Sequence, residues 1–129
     1  MPAQIGLVLG LGMFFGQVSN SNAHELIHRG SRGLFRLGAA VYVSLLFGHH
    51  TSAHRLVHHR HVATPLDPNT ARLGESFWQF FPRAWIGSFR AGLAAEQALS
   101  ATRPGRKNPY LIWLGGAALC CLAVFAVYG

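Results

Sequence analysis

His24-Glu25-Leu26-Ile27-His28 and His54-Arg55-Leu56-Val57-His58-His59 are the two stretches that decide how this chain folds. In a helix, residues four apart lie one above the other on one face, with Cβ atoms about 6 Å apart. His24 and His28 therefore make a pair able to grip a single ion, and His54 and His58 repeat the spacing. His59 projects about 100° around the helix from His58, toward a second ion. All eight histidines of the 129-residue chain fall between positions 24 and 61. A lone histidine is ordinarily a packing or surface residue, but two spaced pairs in one region make a ligand set. Together His24, His28, His54, His58 and His59 exceed what one tetrahedral ion needs, and imidazole suits iron, copper, nickel and zinc alike. Spacing alone leaves the metal open. His24 to His28 also satisfies the H-E-x-x-H pattern of zinc metalloproteases, with Glu25 as general base. A protease site of that kind gives His54, His58 and His59 nothing to do.

Outward from the histidines, apolar and charged residues separate sharply. Ile5 to Phe15 and Tyr110 to Tyr128 carry no charge. All eleven Lys and Arg lie between Arg29 and Lys107, and all four acids between Glu25 and Glu96. That is the pattern of two membrane segments around one polar region. Residues 3–19 predict a spanning helix of roughly 25 Å that continues into the first histidines. Residues 110–128 predict a second span, with Tyr110 and Trp113 at its interface and the breaker Arg103–Pro109 before it. The positive-inside rule places 29–107 in the cytoplasm and accounts for the net charge of +7 without nucleic acid. No phosphate-binding or base-stacking motif accompanies the charge. Gly10-Leu11-Gly12 with Gly16 lacks the preceding strand of a dinucleotide loop, whereas Gly6, Gly10, Gly12 and Gly16 give two small-xxx-small spacings that suit close helix packing. Met1 to Gln4 offers no basic start or cleavage site for a signal peptide. Cys120 and Cys121 face different directions on one helix, which excludes a disulfide or a paired metal site and leaves them as apolar filler.

Leu34 to Gly48 is a further apolar run, long enough for a tilted span. Histidines flank it on both sides, and a crossing helix would separate them by about 30 Å. If the two groups share a metal centre, residues 34–48 form a helix that stays on one side. Residues 75–101 predict an amphipathic interfacial helix, with Phe77, Phe81, Trp85, Phe89 and Leu93 as a broad aromatic stripe. Residues 20–109 are thus one histidine-bearing region between two spans, in an all-α integral membrane protein.

The quoted residues also resemble a known family. His24-Glu25-Leu26-Ile27-His28-Arg29 resembles the first histidine box of the membrane alkane 1-monooxygenases, within the fatty acid desaturase-like membrane di-iron superfamily. Gly48-His49 through His58-His59 is similar to their second box. It leads into Val62-Ala63-Thr64-Pro65-Leu66-Asp67-Pro68 and Ala71-Arg72-Leu73-Gly74-Glu75-Ser76-Phe77-Trp78, which resemble the family's signature. The similarity is continuous from about Asn22 to Glu96. It implies part of a helical bundle around a histidine-ligated centre of two iron ions facing the cytoplasm, in a bacterial inner membrane. The implied metal ligands are His24, His28, His54, His58 and His59, with no catalytic residue beyond them. His49 matches a family histidine in a supporting role, and His50 and His61 have no counterpart. The implied reaction is O2-dependent hydroxylation of a terminal alkane carbon or similar apolar hydrocarbon, with electrons from a rubredoxin-type carrier. A fatty-acyl desaturase or hydroxylase of the same superfamily is the alternative. Two departures stand out. Ala53 occupies a position where the family has Glu, and the third box, Asn-Tyr-x-Glu-His-Tyr-Gly, is absent together with the first spans. The expectation is an incomplete enzyme, inactive alone.

Overall fold

The computed structural model describes residues 2–129, and these form helices and connecting turns with no strand. Helix α1 (Pro2–Ile27) is followed by α2 (Arg32–Ser44). A short α3 (His50–Ala53), a π-helical turn (His54–His58) and α4 (His59–His61) then follow without a break. A structured loop leads to α5 (Phe77–Thr102), and α6 (Tyr110–Tyr128) closes the described chain.

Only the C-terminal end of α1 is packed. Ala23 and Ile27 bury against Tyr42 of α2, with Phe35, Val41 and Phe47 around them. Gly38 makes that crossing close, since a Cβ there would lie 2.8 Å from Leu26 Cβ and 2.9 Å from Ala23 O. The preceding turns of α1 expose Leu9, Phe14 and Phe15 among others. Apolar residues surround the helix on all sides, so no amphipathic stripe directs it onto the rest of the fold.

The apolar run 34–48 is helical only to Ser44. Leu46 adopts a left-handed φ of 58°. Phe47 N–H then donates to Tyr42 O, and Leu46 N–H to Val43 O. This is a Schellman stop with leucine where glycine is usual. Gly48 next lies against Trp113, 2.8 Å from an added Cβ to Trp113 Cβ, and so turns the chain beneath α6.

α5 starts with a full capping box, Ser76 Oγ accepting from Gln79 N–H and Gln79 Oε1 accepting from Ser76 N–H. Its buried line is Ala84, Ser88, Gly92 and Glu96, spaced four apart and small at the first three positions. The predicted aromatic stripe lies one residue round from it. Phe77 and Phe81 are exposed, while Trp85, Phe89 and Leu93 are half-buried beside the contact. Bulky rings cannot approach another backbone as Gly92 does, where a Cβ would stand 3.1 Å from Ala53 N. Among the described residues, Tyr110–Tyr128 is the helix long and apolar enough to cross a membrane. Its 19 residues reach about 28 Å, and only Tyr110 and Trp113 are buried.

Candidate metal centre

The C-terminal end of α1 delivers His24 and His28, and the π turn delivers His54 with His59 just after it. His54 Nε2 lies 2.8 Å from His24 Nε2, 3.1 Å from His28 Nε2 and 3.0 Å from His59 Nε2. His59 Nε2 is also 3.4 Å from His28 Nε2. The ring nitrogens of His24, His28 and His54 lie within 4.8 Å of one another, close enough to hold one ion, and His59 Nε2 stands beside His28 and His54. A neutral imidazole has one N–H and one lone pair, so these contacts cannot all be hydrogen bonds. Nitrogens about 2.1 Å from one ion stand about 3.0 Å apart at an octahedral edge and about 3.4 Å at a tetrahedral one. The spacings of His54 Nε2 to His24 and His28 match that range, so His24, His28 and His54 fit a single divalent cation.

The π turn produces this convergence. In an α-helix of about 3.6 residues per turn, His59 would lie about 140° around from His54. Here the His59 N–H donates to His54 O, a bond spanning five residues, and one extra residue is absorbed in the turn. His59 takes the place beside His54 that the spacing assigned to His58. Burial, and then the neighbouring His50, His24, His59 and His58, push His54 down to about 3. Burial and His24 also lower His28. Both therefore stay neutral at physiological pH, the state in which imidazole binds metal. His28 and His59 are exposed and His54 buried, so the cluster is open on one side.

His58 points elsewhere. Its Nδ1 lies 2.8 Å from Asp67 Oδ2, and its ring stacks on His54 at 5.1 Å between centroids. Asp67, 1% exposed, also accepts from Thr70 Oγ1 at 2.6 Å and from Asn69 N–H at 3.0 Å. Those bonds, with the one to His58, outweigh burial and lower its pKa. The loop carrying Asp67 is fastened to α5. Arg83 Nε and Nη2 each donate to Glu75 at 2.6 Å, and Nη1 and Nη2 reach the carbonyls of Pro68 and Thr70 at 3.0 Å. Ser88 Oγ adds a bond to Asn69 Oδ1 at 3.0 Å. A carboxylate behind a histidine fixes its tautomer and ring angle, and Asp67 does so for His58. Sequence reasoning missed Asp67, Arg83 and Glu75. Asp67-Pro68-Asn69 carried the turn signal, but nothing local tied it to His58.

The remaining histidines pack. His50 lies face-to-face between Phe47 and His54, at 4.6 and 5.0 Å. His49 is enclosed by Phe47, Trp85 and Phe89. Burial holds each down to about 4. His61 gives only its backbone carbonyl, to Thr64. Glu25 stands behind His24, 3.5 Å from Nδ1, on the side away from the converging Nε2 atoms. Ala53 is buried where the α3 backbone meets Gly92.

The family model described as fatty acid desaturase matches residues 1–129. The chain belongs to that family. Among curated relatives of this desaturase-family chain, an alkane 1-monooxygenase of Ectopseudomonas oleovorans is 40% identical over 95 residues, covering 73% of the chain and 23% of the relative. One from Acinetobacter baylyi is 30% identical over 129 residues, covering 95% of the chain and 31% of the relative. The xylene/toluene monooxygenase hydroxylase component of Pseudomonas putida is 30% identical over 98 residues, covering 74% and 26%. The chain therefore spans about a third or less of the relatives it matches. No solved structure matches it. The desaturase family is a class of membrane di-iron enzymes, and the all-helical fold with one apolar helix agrees with membership.

Proposed function

We propose that this chain supplies one histidine-lined half of a di-iron monooxygenase that hydroxylates the terminal carbon of alkanes or similar apolar hydrocarbons. One observation carries the proposal: His24, His28 and His54 converge at single-ion spacing, with His54 on a π turn that also brings His59 beside them, in a chain of this family. His24, His28 and His54 hold one iron, with His59 beside them. His58, with Nδ1 engaged by Asp67, offers Nε2 to the second. Bound iron supplies reductive O2 chemistry, in which two electrons and two protons accompany one oxygen into a C–H bond and the other into water. The chain's own contribution is to hold neutral donors, fix their tautomers and keep aromatic rings around them.

In the membrane, residues 3–19 and 110–128 span, and 34–48 stays on the cytoplasmic side with both histidine groups. The hydrocarbon reaches the centre from the bilayer, and a rubredoxin-type carrier delivers electrons from the cytoplasm. The relatives' names, alkane and xylene/toluene, favour an unfunctionalised hydrocarbon over an acyl chain. Glu25, behind His24, is poorly placed as the general base of a zinc protease. The test combines metal analysis with product analysis. With ferrous iron, O2 and a rubredoxin-type donor, the full enzyme should convert octane to 1-octanol. Alkene as the main product, or zinc retained in preference to iron, would overturn the proposal.

A further inference from the structure

α2 and α6 meet where Val43 faces Gly116, with an added Cβ there only 2.6 Å from Val43 Cγ1. Beside that contact lies a groove of about 1040 Å3. Ala39, Ala40 and Val43 of α2 and Ile112, Trp113 and Leu119 of α6 give it apolar walls. Arg36, Arg55, Arg103, Arg106 and Lys107 line it together with a single carboxylate, Glu96. No histidine is among the lining residues, so the groove is separate from the metal cluster.

Glu96 is already neutralised, because Arg106 Nη2 pairs with its Oε2 at 2.5 Å and Ser52 Oγ donates to its Oε1. Arg36, Arg55, Arg103 and Lys107 then have no ion-pair partner among the described residues. Arg55 is held only over the Phe35 ring, at 5.1 Å. A second observation points to a ligand. Thr51, 2% exposed, lines the groove with its Oγ1 buried and unpartnered, and such an atom is costly unless something bonds to it.

The cations come from the connection just before Tyr110, from the N-terminal half of α2 and, for Arg55, from the π turn. The apolar lining continues from there along α6. A small inorganic anion would satisfy the charges and leave the walls bare. A soluble acidic protein would have to insert apolar groups of its own between two helices. An amphiphile with a phosphate head and two acyl chains meets both requirements, and basic pockets beside spanning helices take such headgroups. We infer that the α2–α6 groove binds an anionic phospholipid. Its phosphate pairs with Arg36, Arg55, Arg103 and Lys107, Thr51 Oγ1 donates to a headgroup or ester oxygen, and the acyl chains cover Ala40, Val43 and Leu119. The inference rests on α6 lying in a bilayer but on no property of the metal centre.

The full chain is placed in nanodiscs of equal phosphatidylglycerol and phosphatidylcholine, released into detergent, and its retained lipids are counted by native mass spectrometry. Phosphatidylglycerol should be retained over phosphatidylcholine. The exposed-site changes Arg36→Gln and Lys107→Gln should each reduce that preference about fivefold. Ala40→Trp, which fills the apolar floor, should lower retention with every cation present, and circular dichroism checks that helix content holds. Equal retention of the two lipids would overturn the inference, as would a preference that survives all three changes. Displacement by inorganic phosphate alone would reduce the groove to an anion site. Displacement by an acidic soluble protein acting through the same cations would make it a protein-docking face instead. Cobalt(II) binding on the same samples separates the two proposals. Lost lipid preference with cobalt binding intact removes this site alone, and the converse removes the metal centre alone.

Discussion

The segment from His54 to Arg83 and the two long apolar helices are built on opposite principles. In the first, Asp67, Thr70, Glu75 and Arg83 are locked in charge-assisted or side-chain hydrogen bonds, many of them below 3 Å. In the second, Gly6, Gly10, Gly12 and Gly16 of α1 have nothing within 4 Å of an added Cβ, and α6 is buried only at Tyr110 and Trp113. The histidine region carries its order within itself. The apolar helices are left to take theirs from lipid or from neighbouring helices.

The largest break should come at the centre of the first region. His54 is the nitrogen nearest three others, so His54→Ala should weaken metal binding more than about 100-fold, beyond the range of outer-shell changes. Isothermal titration with cobalt(II) or ferrous iron checks this. Retained affinity would mean that His24, His28 and His54 do not share an ion. A paired substitution sharpens the contrast between regions. Gly92→Val drives a Cβ to 2.5 Å from Tyr110 Oη and 3.1 Å from Ala53 N, and should cost about 1–3 kcal/mol of thermal stability in detergent. Gly10→Val in α1 meets nothing within 4 Å and should leave the same melting curve in place. Equal effects would dissolve the distinction.

Asp67→Asn should be milder. It keeps the loop's shape but weakens the acceptor behind His58, and should cost about tenfold in the affinity for a second metal equivalent. Long-range nitrogen NMR should show the His58 Nδ1–H tautomer in the unmodified chain and a mixture in the variant. The smallest effect is acid loosening of the loop. The Arg83 guanidinium holds Glu75 down to about 2, against an ordinary value of 4.5. A depressed carboxylate stabilises above the unfolded value and loses that contribution as pH falls through the folded one. Proteolysis within residues 62–76 should accordingly speed up between about pH 4.5 and pH 2, and Arg83→Gln should abolish that dependence.

Much of this was legible beforehand because its causes are local. His24/His28 spacing, the breaker before Tyr110 and the unbroken apolar run to Tyr128 each act over a few residues, and each corresponds to an observed helix or contact. What escaped depends on distant partners. Leu46 ends α2 early because the chain must turn under Trp113, and leucine at that φ gives no warning. The line Ala84-Ser88-Gly92-Glu96 outcompetes the aromatic stripe because α3 approaches too closely for rings. Asp67 finds His58 only once Arg83 and Ser88 have fastened the loop to α5. His58 and His59 exchanged neighbours for the same kind of reason. Periodicity read along the chain assumes an unbroken α-helix, and His54–His58 is not one.

That single turn behaves like a dislocation in a crystal. One surplus residue is accommodated between two regular lattices, and everything downstream is out of phase with everything upstream. Counting in fours is valid on either side of it and fails across it. A deletion of one residue within the turn would restore the phase, returning the helix to regular geometry while His54 and the following His-His pair change partners. Insertions and deletions here would therefore alter chemistry without altering composition, and a histidine count, however high, would not register the change.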